Sequence, residues 1–288
     1  MKIVAIVHIF YENLWPELEK TLKNISANNT IDIFITSPNL SEELNQKILV
    51  AFPAVTFIHT RNVGYDIWPF IKILNTIDLD SYDILIKLHT KRNMPINFVM
   101  KEFPAGGDIW RNHLLHFAQS PKNWNLTLKL LSKKNVGIVS DSLCIYNSRW
   151  DPAPQHNCQI QEVMKNLGLN LRYGQQFVAG TIFAARPSAF KCLQGVFSEN
   201  NFSLSDSKHT EGFAHVLERV IGYSVCAQGY SIESFDGKKF EIEIFKQRIR
   251  QFFLRERVTT HHTFYHILGI PVWFRRNPFV RQGNKISH

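Results

Sequence analysis

Lys2–Ile9 reads KIVAIVHI, and this stretch decides the fold. It is short, rich in β-branched residues and soon followed by polar Glu12 and Asn13, as expected of a strand buried on both faces. Such a strand needs helices above and below it, and the next segments supply them. Pro16–Ile25 carries Leu18, Leu22 and Ile25 at helical spacing, and Ile31–Thr36 (IDIFIT) alternates as a second strand. Ser41–Ala51 is expected as a helix capped by Ser41, and Ala54–His59 as a third strand. Ile67–Leu74 then reads as a helix and Asp83–Leu88 (DILIKL) as a fourth strand. The alternation implies an α/β fold with a mostly parallel central sheet covered on both faces. Further helices are expected over Asp108–Phe117, Asn123–Ser132 and Glu211–Ile221. Further strands are expected over Val136–Val139, Phe177–Ala185 and Tyr223–Ala227.

With 288 residues, 44% of them hydrophobic, the chain can bury a large core, and wholesale disorder is excluded. Its four cysteines (Cys144, Cys158, Cys192, Cys226) form no CxxC pair and read as reduced thiols, neither zinc ligands nor a disulfide scaffold. The opening residues lack a small-residue cleavage site, and no run of about 18 apolar residues occurs. A cytoplasmic protein, at most peripheral on a membrane, is therefore expected. Charge is uneven. From Ile244 onward nine bases face one acid, Glu256, which accounts for nearly all of the net +9.

A parallel sheet places its ligand site at the carboxyl ends of its strands, where four notable segments fall. Arg61–Asp66 (RNVGYD) follows the third strand. Gly64 permits close backbone approach and Asp66 suits ribose hydroxyls or a base; the plainer reading makes Asp66 a helix cap. Lys87–Arg92 (KLHTKR) follows the fourth strand, where an acidic triplet would hold a divalent metal against a diphosphate. Here His89, Lys91 and Arg92 suit the same neutralisation without metal, Arg by bidentate contact and Lys as a point charge; otherwise the segment is a solvated basic loop. Gly180 and Thr181, within FVAGTIFAAR (177–186), leave a small-residue platform for a sugar ring, or simply a bulge. In EGFAHVLER (211–219), Glu211, His215 and Glu218 share one helix face. Glu211 or His215 is then placed to deprotonate an attacking hydroxyl; the plainer reading is a capping Glu211 and a surface pair, Glu218–Arg219.

Taken in order, RNVGYDIWPF (61–70), YDILIKLHTKR (82–92), GDIWR (107–111), FVAGTIFAARPSAF (177–190) and EGFAHVLER (211–219) resemble the rhamnan synthesis protein F family. The resemblance spans roughly Lys2–Tyr230. It implies a glycosyltransferase of Rossmann-like, A-type fold acting in O-antigen (lipopolysaccharide), capsule or rhamnose-polysaccharide assembly. It carries donor binding onto Asn62, Gly64, Asp66, Lys87, His89, Thr90, Lys91, Arg92, Gly180 and Thr181. Catalysis falls on Glu211 and His215, and acceptor or structural roles on Trp110, Arg111, Glu218 and Arg219; Arg186 matches a further family arginine. Two departures stand out. Tyr65 sits where arginine is common, and Glu211-Gly212-Phe213 replaces Asp-Gly-Thr, which lengthens the carboxylate by a methylene.

The resulting expectation is inverting transfer of rhamnose or a related hexose from a dTDP-, UDP- or GDP-linked donor to a lipid-linked glycan. No metal, other cofactor or nucleic acid is expected to take part. The alternative is a catalytically silent nucleotide- or glycan-binding module of the same fold. Residues 1–235 are expected to form the catalytic domain and 236–288 a basic amphipathic tail, helical over Ile244–Val258. Arginines interleaved with Phe252, Phe253, Trp273 and Phe274 suit an anionic membrane surface, here the inner face of a bacterial inner membrane; the plainer reading packs the tail on the body.

Overall fold

The computed structural model describes residues 1–92, 107–148, 156–172, 174–202, 212–238, 254–258, 262–267 and 270–276. It divides into two units, one of 1–92 with 111–238 and one of 93–110 with 239–288.

The first unit is built on β1 (Lys2–His8), whose Ile3–Val7 are at most 2% exposed. The other strands are β2 (Thr30–Ser37), β3 (Thr56–His59), β4 (Ile84–His89), β5 (Val136–Ser140), β6 (Ile145–Asn147), β7 (Gln176–Val178), β8 (Phe183–Ala185) and β9 (Ser231–Ser234). Seven of them form one sheet in the order β3-β2-β1-β4-β8-β5-β9; β6 and β7 pair separately. Within the seven-stranded sheet, among the described residues, only β8 runs against its neighbours. The expected mixed α/β architecture with a mostly parallel central sheet is therefore observed.

The helices are α1 (Trp15–Ser26), α2 (Glu42–Ala51), α3 (Ile67–Leu74), α4 (Gly107–Leu115), α5 (Pro121–Leu131), α6 (Asn157–Asn166) and α7 (Phe213–Ala227). α1 buries Leu18, Leu22 and Ile25, the stripe its spacing dictates. Ser41 caps α2, its hydroxyl accepting the Leu44 N–H at 3.3 Å.

Three expectations about elements are corrected. Phe177–Ala185 is two strands in two different sheets, because Gly180 (φ 79°) and Thr181 (φ 47°) turn the chain between β7 and β8. Tyr223–Ala227 completes α7 instead of forming a strand. Its aromatic and β-branched residues suggest a strand, yet Val220, Ile221, Tyr223 and Val225 are all buried on the helix, and that packing overrides propensity. The third correction lies in the second unit. There β10 (Leu254–Val258), β11 (His262–Ile267) and β12 (Ile270–Arg276) form an antiparallel sheet, so the expected helix does not reach Val258. Thr263, Phe264, Tyr265, Ile267, Ile270 and Val272 favour strands, and only two residues separate β11 from β12, the length of a hairpin connection. Ile244–Phe253, the rest of the expected helix, lies outside the described residues. Among the described residues no helix is long and apolar enough to cross a membrane.

Candidate functional site

β1 and β4 are neighbours that end together, His8 opposite His89. Thr90, one residue beyond β4, organises the exit of β1. Its hydroxyl oxygen accepts the N–H groups of Phe10 (2.9 Å) and Tyr11 (3.0 Å), while its own N–H donates to the His8 carbonyl (3.0 Å). Lys91 follows half-buried, and Arg92 is exposed with its guanidinium 5.9 Å from the centre of the Tyr11 ring. These side chains rim the carboxyl edge of the sheet, where a ligand of a parallel α/β fold is expected.

Just below that rim, segments far apart in sequence meet in one buried ionic cluster. Asp66 does not cap α3 with its side chain. Its carboxylate instead takes the Lys87 ammonium and the Thr181 hydroxyl (2.6 Å), and Lys87 also donates to Thr181 Oγ1 (2.8 Å). The neighbouring Gly180 N–H donates to Glu218 Oε1 at 2.7 Å. Two left-handed turns deliver these groups: Gly64 (φ 66°) with Tyr65 (φ 53°), and Gly180 with Thr181. For Tyr65 and Thr181 that conformation costs about 1–2 kcal/mol each, which the cluster must offset. Gly64 has no room for a side chain, since a Cβ there would lie 2.5 Å from Phe202 Cδ1.

Burial and charge act against each other throughout this cluster. Burial would raise the Asp66 carboxyl, but His89, Lys87 and Lys91 around it hold it well below the usual carboxylate range. Burial lowers Lys87, with Asp66 opposing. His89 is pushed well below its ordinary value, again by burial against the pull of Asp66. Its Nδ1 lies 3.4 Å from Asp66 Oδ2, and neither ring nitrogen has a hydrogen-bond partner among the described residues. His8, bonded through Nδ1 to Thr36 Oγ1 at 3.0 Å, is lowered by burial to about 4.

His215 stands beside the cluster on the first turn of α7. Its ring centre lies 5.6 Å from that of Tyr65 and 6.2 Å from that of His156, with Nδ1 3.6 Å from Glu218 Oε2. Glu218 and Arg219 are not a surface pair. Their side chains are 19% and 7% exposed, and Arg219 donates to the His215 carbonyl (2.9 Å) with its guanidinium over Phe177. Burial would raise Glu218, yet His215, Arg219 and the Gly180 N–H bring it down to about 2. Glu211 lies outside the described residues.

The remaining expected site residues sit elsewhere. Asn62 is exposed at the start of the RNVGYD turn, and Arg61 pairs with Glu199 at 2.8 Å. Trp110 is buried, and Arg111 donates to Glu17 at 2.6 Å. Arg186 binds the carbonyls of Leu131, Lys133 and Val136, tying the end of α5 to the start of β5. The sequence reading passed over His8 and a second ionisable group, His113, His116 and Asp141. The signals for the latter were a His-x-x-His spacing on a helix and an aspartate at the carboxyl end of β5.

The family profile described as Rhamnan synthesis protein F matches residues 1–230. Among curated proteins none matches. Of the solved structures, the chain is similar to a mannosyltransferase from Pyrobaculum calidifontis in complex with GDP-Man and Mn2+: 13% identity, 80% of this chain and 53% of that one, TM-score 0.38. It thus spans about half the length of that protein. It is also similar to the galactosyltransferase LgtC in complex with donor and acceptor sugar analogues (10% identity, 81% and 73% coverage, TM-score 0.37). A third similar structure is S. aureus TarS 1–349 (8% identity, 87% and 64% coverage, TM-score 0.40).

Proposed function

We infer what this chain does from one premise: it belongs to the rhamnan synthesis protein F family. We propose that it is a glycosyltransferase of A-type fold, taking a sugar from a nucleotide diphosphate donor and adding it to a growing cell-surface polysaccharide. The observation that carries this reading is the junction of four separate family motifs in one cluster: Asp66 with Lys87, Lys87 with Thr181, and Gly180 with Glu218.

In the proposed reaction a hydroxyl oxygen of the acceptor attacks the anomeric carbon of the donor from the face opposite the phosphate. The new glycosidic bond forms as the bond to phosphate breaks, and the nucleoside diphosphate leaves with the electron pair. The hydroxyl proton passes to Glu211 or His215 as general base. Lys91 and Arg92 stabilise the charge growing on the diphosphate, alongside His89 and the Asn62–Gly64 turn. Asp66 accepts from donor hydroxyls, and Lys87 with Thr181 holds it ionised and oriented. This assignment gives phosphate neutralisation to bases, so donor binding should survive chelation. The acceptor is proposed to be a lipid-linked glycan and the donor sugar rhamnose or a related hexose.

Incubation with dTDP-, UDP- and GDP-sugars tests the reading. At least one donor should raise the melting temperature and be cleaved slowly to free nucleoside diphosphate, with EDTA changing its affinity less than tenfold. Binding without any release over prolonged incubation, with acceptor glycan present, would instead mark a silent binding module.

A further inference from the structure

The end of α4 and the turn after it carry His113 and His116, three residues apart and so on one side of the helix. Both rings face Asp141, at the carboxyl end of β5. His113 Nδ1 lies 3.2 Å and His116 Nδ1 2.9 Å from the same oxygen, Oδ2. The other oxygen, Oδ1, accepts the Leu143 N–H at 2.9 Å, which fixes the carboxylate plane. His116 is held on two further sides: Asn123 Nδ2 donates to its carbonyl at 2.7 Å, and the Phe235 ring packs edge-on at 4.9 Å. Asp141 is thus a buried anchor, its side chain 4% exposed, while His113 (27%) and His116 (38%) stay within reach of solvent.

A histidine–carboxylate hydrogen bond needs one histidine. Here two imidazole nitrogens converge on one carboxylate oxygen, at a spacing compatible with three ligands around a metal. With metal–ligand bonds of about 2.1 Å, ligands at right angles are about 3.0 Å apart and tetrahedral ones about 3.4 Å apart. The observed 3.2 Å lies within that range and 2.9 Å at its lower edge. The Leu143 N–H on the outer oxygen is the kind of support that metal-binding carboxylates receive.

We propose that His113, His116 and Asp141 bind a divalent transition-metal ion, filling three coordination positions and leaving the others open. Two imidazoles with one carboxylate suit borderline ions such as Zn2+, Co2+ or Ni2+ over the hard ions Ca2+, Mg2+ and Mn2+, which favour oxygen-rich sets. The site is separate from the Asp66 cluster and shares no residue with it. Ala185 and Ala184 of β8 pair with Ile138 and Val139 of β5 on one side and with Leu85 and Ile86 of β4 on the other. Asp141 therefore leaves the sheet at the same edge as His89, two strand spacings (about 10 Å) away. The inference does not depend on sugar transfer.

The test uses metal-stripped full-length protein with no sugar nucleotide. Co2+ should bind with one equivalent per chain by calorimetry, give visible d–d absorption, raise the melting temperature and be displaced by Zn2+. His116→Gln and, separately, His113→Gln should each weaken Co2+ binding at least tenfold, whereas His59→Gln, a control on the exposed end of β3, should bind like the parent. Circular dichroism checks that each variant is folded, and two separate histidine variants keep a reading available if one is not. Absence of Co2+ binding by the parent, or parent-like binding by folded His113→Gln or His116→Gln, would overturn the proposal.

Discussion

Lys87 is 1% exposed, which for a lysine demands a partner. Its partners, Asp66 and Thr181, are 21 and 94 residues away in sequence. A lysine in DILIKLH reads equally well as a strand-end base, so the identity of the segment was legible and its engagement was not. The same holds for Asp66, for which ligand and cap fit the turn alike until the Lys87 ammonium takes its carboxylate. Next to this pair, His8 and His89 are buried in the neutral form. A histidine whose pKa falls on folding contributes stability above its unfolded value of about 6.5 and loses it as pH drops toward the folded value. For His8 the window runs from about 6.5 down to about 4. Stability should therefore fall on acidification through that window, by up to about 1.4 kcal/mol per pH unit for each histidine. Asp66, also depressed, adds its loss only below about pH 4. Urea midpoints measured from pH 7.5 to 4 check this, and His8→Asn should flatten the slope. An unchanged slope in that variant would assign the acid sensitivity to other groups.

At the scale of elements, α7 is the piece that joins the site to the separate β6–β7 pair. Its first two turns present His215 and Glu218, and its middle lies directly on β7. Gly222 makes that contact possible, because a Cβ there would sit 2.4 Å from Phe177 Cα and 2.6 Å from the Gln176 carbonyl oxygen. Both obstacles are backbone, so neither can swing aside. Gly222→Ala should then cost about 1–3 kcal/mol despite the better helix propensity of alanine, read as a lower urea midpoint. A variant within about 0.5 kcal/mol of the parent would mean that α7 shifts freely on β7. The sequence announced the first seven alternating elements, β1 to β4 with the helices between them, because each carries its own periodicity. It failed at β7–β8 and at the end of α7, where left-handed residues and a backbone contact, not pattern, decide the outcome. Of the site, the motif residues were legible and their convergence was not, since only the order of strands brings Gly180 to Glu218.

For the whole molecule the governing fact is where charge lies. Nine of the bases and only one acid follow Ile244, so the preceding residues are nearly neutral. The described part of that segment is an antiparallel sheet, not the expected helix, and the membrane reading passes from a helix face to strand residues. Ile270, Val272 and Trp273 on β12 are 66%, 52% and 61% exposed, with Arg275 and Arg276 ending the same strand. Large apolar side chains beside arginines suit the head-group layer of a bilayer, where indole rings settle and bases meet anionic lipid. Sedimentation with vesicles containing anionic lipid should therefore retain the protein, and neutral vesicles should not. Raising the salt from 0.1 M to 1 M shrinks the screening length from about 10 Å to about 3 Å and should release most of it. Replacing Ile270, Val272 and Trp273 together by serine should weaken attachment without lowering the melting temperature, because exposed side chains contribute little to the core. If those residues instead pack against the rest of the chain in solution, the triple variant should melt several degrees lower and keep its vesicle binding. That pair of results would end the membrane reading and leave the segment a structural part of the fold.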